Sequence, residues 1–367
     1  MTTHMYPERL GAFAVICITA AACVACGSHT VSSQGPSSSA AKSQTGSASA
    51  APATGDVPSG SEQPWTVDVS GAGKSDRSDA ILAALTAAGG WGNDNVLQTD
   101  FSISIFNADS STPRMGVVGI EDYCGGGPDC DSVPTQMPVP ADANIEGSQD
   151  LSCDISGDTE GQGDCHLLVA DRDEQKLYEL YQANQSGDSM TTQAMFIWDL
   201  SKSYPENLRG DQCTSADAAG FPISAMTPTA DEVASGTVNH ALRFILPNDR
   251  MKADVYVPPA THAGGPENTN PDAPPYGVNL RLRPDVDVSS YTPQQRVVIT
   301  ALQTHGMYLA DGGEIALTFA DDGSSTAKWA DLGIDAQSFA GLPVDGFEVI
   351  DHGPEVPVTY ECVRSDR

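Results

Sequence analysis

Five histidines lie beyond residue 63 of this 367-residue chain: His166, His240, His262, His305 and His352. His166 and His240 each open an apolar run, which puts both at the rim of a sheet. His262 sits in a Pro-rich loop just past a run that ends at Val257. Together with Asp171, Asp217 and Asp311, a cleft lined by His166, His240 and His262 carries general acid and base groups. Two carboxylates across a sugar suit glycoside hydrolysis, whereas a His or Tyr base beside an Arg suits β-elimination. Each histidine taken singly reads as a structural residue, so the case rests on the set.

The densest motif is Thr-Ser-Ala-Asp-Ala-Ala-Gly at 214–220. Asp217 there either faces a substrate or metal, or the motif is a capped turn in which Ser215 or Asp217 accepts from backbone N–H groups. The oxygen-rich run at 154–164 is the one place suited to calcium, although its spacing is not that of an EF-hand. No Gly-x-Ser-x-Gly elbow, P-loop or dinucleotide fingerprint occurs. Tyr178, Tyr181, Trp198, Tyr256, Tyr276 and Tyr308 lie near candidate strands. Exposed on one face they form a sugar-stacking platform; buried they are core, the reading preferred for Trp198.

The elements that must position these residues are mostly short strands. Alternating or continuous apolar runs at 101–106, 115–120, 166–170, 176–181, 195–198, 240–246, 253–257, 276–283 and 314–319 read as strands. The turn at 171–173 makes 166–181 a hairpin. In 276–283, Val278, Leu280 and Leu282 fall on one face, with Asn279, Arg281 and Arg283 on the other. Two helices interrupt: 78–88, rich in Ala and Leu and stopped by Gly89 and Gly90, and 292–303, opened by Thr292 and Pro293 with Val297, Ala301 and Leu302 on its apolar face. Many strands, Gly/Pro/Asp turns and few helices predict an all-β fold: a β-sandwich or jelly roll with one or two short helices. The Pro/Gly-rich stretch 258–275 reads as a long surface loop.

The whole chain carries a formal net charge of −31. Nearly all of it falls beyond residue 63. Such a field repels nucleic acid and anionic membrane surfaces. The N-terminus has Arg9, an apolar run over 10–24 and Ala-Cys-Val-Ala-Cys-Gly-Ser at 22–28. This is an export signal, and the cysteine at its end resembles a bacterial lipobox. That resemblance implies lipidation of Cys26 and a protein anchored on the extracytoplasmic face of the cell membrane; a plain signal peptide cut after Ala-x-Ala is the alternative. Residues 1–25 are then the signal peptide and 26–63 a Ser/Ala/Gly-rich tether. Residues 64–367 form a single large β-rich domain. Beyond Cys26, six cysteines suggest three disulfides outside the cytoplasm. Spacing favours Cys124–Cys130, Cys153–Cys165 and Cys213–Cys362.

Several blocks occur in one order: His-Leu-Leu-Val-Ala-Asp at 166–171, Leu-Tyr-Glu-Leu-Tyr at 177–181, Thr-Ser-Ala-Asp-Ala-Ala-Gly at 214–220, His-Ala-Leu-Arg-Phe at 240–244, Pro-Tyr-Gly-Val at 275–278 and Gly-Met-Tyr-Leu-Ala-Asp at 306–311. Over residues 91–350 this resembles a family of secreted, β-rich proteins of bacteria and some plants. Cys213 and His305 depart from that pattern, which has Trp and Tyr there. The resemblance implies a secreted β-rich fold and no particular chemistry. The expected function is therefore drawn from the residues: a cell-surface lipoprotein acting on carbohydrate as glycoside hydrolase or polysaccharide lyase. Its partners would be a polysaccharide or cell-surface glycan and its own lipid anchor, with no nucleic acid. The alternatives are a non-catalytic glycan-binding or adhesion module and a structural envelope protein.

Overall fold

The computed structural model describes residues 63–120, 127–133, 135–153, 163 and 165–365. Cys26, Cys124 and all of the candidate calcium loop except Gly163 lie outside the described residues. Strand residues outnumber helical ones, 28% to 17%, and are spread over several sheets.

The run at 101–106 shows how sequence becomes architecture here. Its alternation slips at Ile105-Phe106, and the expected single strand divides at Ser104. Thr99–Ile103 runs parallel to Leu317–Ala320 in a six-stranded sheet. Ile105–Ala108 runs parallel to His166–Asp171 in a different, four-stranded sheet. The buried Ser104 pins the hand-over: its hydroxyl bonds Asn144 Oδ1 at 3.0 Å and also meets the carboxylate of Asp321.

The six-stranded sheet runs in the order Thr99–Ile103, Leu317–Ala320, Leu242–Leu246, Met307–Gly312, Asn279–Leu282, Phe347–Val349, with parallel and antiparallel pairs mixed. Helix Ser78–Ala87 packs by Phe347–Val349 and helix Pro293–Thr304 by Asn279–Leu282. Leu82, Leu85, Val298 and Leu302 from these helices share one core with Leu242, Phe244, Leu280 and Leu282. The second helix starts as expected: Thr292 Oγ1 accepts from Gln295 N at 3.2 Å, and Pro293 opens the first turn. Its apolar face is centred on Val298, Ile299, Ala301 and Leu302, with Val297 only half-buried at the edge.

One four-stranded sheet comprises Ile105–Ala108, His166–Asp171, Lys176–Tyr181 and Ala194–Asp199, and includes the expected hairpin. The other comprises Thr135–Pro138, Arg114–Gly119, Ser189–Thr192 and Asn184–Ser186. Leu167, Val169, Tyr178, Leu180 and Met195 from the first interdigitate with Val117, Met137 and Met190 from the second. The opposite face of the first presents Leu168 and Phe196 to Ala216 and Ile223. Period-two alternation places His166 and Glu179 on that same face.

Several expectations change. Two short helical turns, Ala230–Ser235 and Trp329–Leu332, join the two helices read from sequence, so the fold is β-rich with helices against its largest sheet. The run at 276–283 narrows to Asn279–Leu282 and is buried on both faces. Arg281 is not solvated: it holds Glu348 at 2.8 and 3.1 Å and donates to the carbonyls of Val69 and Ala72 in the covering N-terminal segment. The run at 253–257 narrows to Val255–Tyr256, which pairs with Val356–Pro357 in a separate ribbon. The expected surface loop at 258–275 begins with a buried stretch over 260–263, because that stretch covers the 214–220 segment. Gln63, assigned to the tether, is buried; its side chain bonds Lys202 O and Tyr204 N at 3.0 and 2.9 Å. Among the described residues two disulfides are present, Cys153–Cys165 and Cys213–Cys362. The third expected pair includes Cys124, outside the described residues.

Candidate active site

The 214–220 segment lies against the face of the six-stranded sheet opposite the Leu242/Phe244 core. The capped-turn reading of this motif is seen at Ser215. Ser215 makes the capped turn, its hydroxyl accepting from Asp217 N at 3.0 Å and lying 2.8 Å from Asp217 O. That leaves the Asp217 side chain for other work. Gly220 closes the segment at φ +90°, where a Cβ would sit 2.2 Å from Thr261 Oγ1 and 2.8 Å from Cys213 O, so no other residue fits without displacement.

Asp217 has no solvent exposure and grips Arg243 through both oxygens, at 3.1 and 3.2 Å. Arg243 alternates out of phase with Leu242 and Phe244, which aims it at this layer. Its remaining Nη1 donates to Thr318 Oγ1 at 2.8 Å. Asp311, from the neighbouring strand Met307–Gly312, lies 3.7 Å from Arg243 Nη2 and accepts from Ala218 N at 3.3 Å. The Asp217 and Asp311 carboxyls therefore converge on one nitrogen, Arg243 Nη2. Burial pushes Asp217 up to about 7; Arg243 opposes this and Asp311 adds to it. Burial works against the Arg243 charge, but Asp217, Asp311 and Glu146 outweigh it and hold the guanidinium firmly protonated. Two like-charged carboxyls converging on one nitrogen favour one shared proton.

His166 joins the same segment from the four-stranded sheet. Its Nε2 meets Ala216 O at 3.1 Å and its Nδ1 meets Glu146 Oε2 at 2.6 Å. Both ring nitrogens are therefore engaged by oxygens. Burial pushes the Glu146 carboxyl up, but His166 and Arg243 outweigh it and hold it below its ordinary value. His262 approaches from the other side, its Nδ1 2.8 Å from Ala218 O and its ring against Tyr360 at 5.2 Å. Burial lowers its pKa, favouring the neutral ring. A cavity of about 110 Å³ opens beside the segment, lined by Tyr181, Phe196, Thr214, Ser215 and Asp311 among others.

Thus Asp217, Asp311, His166 and His262 all attach to one segment, and two sequence candidates do not. Asp171 sits five residues from His166 along the same strand, about 16 Å at 3.3 Å per residue. It accepts from Glu174 N at 3.0 Å and lies 3.4 Å from Arg114, holding the hairpin turn. His240 meets Ala241 O at 2.9 Å and Glu232 Oε1 at 3.3 Å. Burial works against its charge, but Glu232 outweighs it and raises the pKa. Glu232 also belongs to the capping box of the Ala230–Ser235 turn, so His240 clamps a helix end. Of the aromatics, Tyr178, Trp198, Tyr256, Tyr276 and Tyr308 are buried; only Tyr181 is half-exposed, at the cavity.

Sequence reasoning missed Arg243, Glu146 and Glu179. Glu179 is fully buried, accepting from Ser224 N at 3.0 Å, Ser224 Oγ at 3.2 Å and Trp198 Nε1 at 3.1 Å. Burial, then the nearby Asp217, push it up to about 7, against the opposing pull of the Ser224 bond. The available signal was a single charge inside an apolar run, Leu-Arg-Phe and Tyr-Glu-Leu. Among the described residues, Asp129, Cys213 and Cys362 gather closely enough for a metal, but both cysteines are tied in a disulfide and offer no thiolate. No family model, curated protein or solved structure matches this chain.

Proposed function

We propose that this chain is a cell-surface lipoprotein, anchored through Cys26, whose domain hydrolyses a glycosidic bond. One observation carries the reading: Asp311 lines a cavity while its carboxyl shares Arg243 Nη2 with the fully buried Asp217. Such a pair stores a proton near neutral pH, as a general acid for a sugar leaving group must. The two carboxyls converge on one nitrogen, Arg243 Nη2, rather than flanking a bond from opposite sides. They act instead as one acid unit, and Glu146, the partly exposed carboxylate beyond Arg243, supplies the second group. Elimination fits less well, because Arg243 is committed to Asp217 and Thr318 rather than open to substrate. At about 110 Å³ the cavity takes part of one sugar, so the rest of a glycan would lie across its mouth near Tyr181. The same reading treats the two four-stranded sheets sharing one core as a β-sandwich, and includes membership of the secreted β-rich family.

The test is a glycan panel scored for binding and for product release, with and without calcium. Asp311→Asn is expected to cut turnover at least 100-fold with a melting temperature within a few degrees of the parent. Undiminished turnover in Asp311→Asn would remove this site from consideration. Binding without turnover in the parent protein would favour the adhesion module.

A further inference from the structure

A second cavity, about 380 Å³, shares no lining residue with the first. It opens where Pro64, Val67, Val69 and Ala72 meet Asn279 and Tyr308 of the six-stranded sheet. Val67, Val69, Pro258 and Pro259 supply apolar wall. The polar wall is Glu206, Asn279, Tyr308, Asp351 and His352, with no Lys or Arg.

The chemistry of this wall is one-sided. Its side-chain donors are already engaged by backbone carbonyls: Asn279 Nδ2 with His305 O at 3.0 Å, Tyr308 O–H with Pro64 O at 3.4 Å, and His352 Nδ1 with Gly353 O at 2.9 Å. With its proton on Nδ1, His352 keeps Nε2 as an acceptor. That Nε2 and Asn279 Oδ1 are buried and meet no donor among the described residues, and Asn279 as a whole is only 4% exposed. Glu206 and Asp351 are exposed and bring two negative charges. The groups this wall offers to a ligand are thus the two carboxylates, which call for positive charge. A bare metal ion is the poorer fit: the ligand atoms of Glu206, Asp351 and His352 do not gather within the 4.8 Å of one another that a shared ion requires. Spread acceptors around an apolar wall suit an extended cation.

We propose that this cavity binds a small organic cation, an ammonium group on a short apolar body, with Glu206 and Asp351 as its counter-charges and Val67, Val69 and the two prolines against its carbons. The site stands independently of the hydrolase reading.

The experiment titrates the full chain with n-butylammonium chloride, 1-butanol and sodium butyrate in parallel, followed by NMR of the valine methyls and the His352 ring. Butylammonium is expected to give saturable shifts with Kd on the order of 1 mM, a typical weak-fragment affinity. Butanol should bind at least tenfold more weakly and butyrate not at all. Glu206→Gln should weaken butylammonium about fivefold, and the Glu206→Gln/Asp351→Asn double variant should abolish saturation. Both side chains are exposed, so an unchanged amide spectrum verifies folding. Butanol binding as tightly as butylammonium, a double variant that binds like the parent, or no saturable shift by 50 mM (about fifty times the expected Kd) would each overturn the proposal.

Discussion

Glu179 and Asp217 place two carboxyls where water does not reach, and they solve the problem differently. Asp217 has an arginine; among the described residues Glu179 has only Ser224 and Trp198 as donors. Glu179 is therefore the cleaner titration. Its folded value is raised to about 7, so the folded state keeps a proton that the unfolded chain releases near 4.5. Stability from this group is full at acid pH and declines as pH rises from about 4.5 to 7, by roughly 3 kcal/mol in total. Glu179→Gln cannot ionise, but its amide presents N–H where Trp198 or Ser224 needs an acceptor, losing about 1 kcal/mol at every pH. Calorimetry at pH 5 and pH 8 should find the variant less stable than the parent at pH 5 and the deficit closed or reversed at pH 8. An equal deficit at both values would mean that Glu179 is ionised throughout.

At the scale of elements, His240 belongs to a helix end rather than to the site. His240→Ala should cost roughly 1–3 kcal/mol through loss of the Glu232 contact and leave glycan turnover intact. Because Glu232 raises the His240 pKa, that contribution is present below about 6.5 and fades as pH rises through the folded value. The loss on substitution should thus be larger at pH 6 than at pH 9 in thermal melts. Loss of turnover with an unchanged melting temperature would return His240 to the site. The hairpin 166–181 and the Thr292 cap were legible because each is local: a period, a turn, a hydroxyl before Pro293. What was not legible is which sheet a strand joins and what covers its second face. Period-two alternation assigned Arg281 and its neighbours to the face away from the core, yet the 67–72 segment covers that face. Arg243 was missed for the same reason, because the 214–220 segment that buries it is distant in sequence. Asp171 was misplaced because strand length, about 16 Å from His166, was not weighed against the motif that contains both.

At the scale of the whole molecule, the disulfides Cys153–Cys165 and Cys213–Cys362 differ in what they tie. Cys153–Cys165 closes a span of 12 residues, whereas Cys213–Cys362 closes 149 and holds the C-terminal strand Val363–Arg364 to Gly210–Asp211. In the chain-entropy picture the long closure contributes about 5 kcal/mol and the short one about 3. The long one also keeps Tyr360 over His262, next to the candidate site. Cys213→Ser/Cys362→Ser should therefore lower the denaturation midpoint more than Cys153→Ser/Cys165→Ser, and steepen the transition more, because the uncross-linked denatured chain exposes more surface. Equal losses would mean that the C-terminal strap is held by its own contacts: the Arg364 pairing with Asp131 at 3.3 Å and the ribbon with Val255–Tyr256. An oxidising compartment is what allows either bridge to persist, which ties this measurement to the anchor. If Cys26 is lipidated, Cys26→Ser should move the protein from the membrane fraction to the soluble one while both bridges still form. The bridges then report export and the fraction reports the lipid. A soluble parent protein with intact bridges would retain export and discard the anchor.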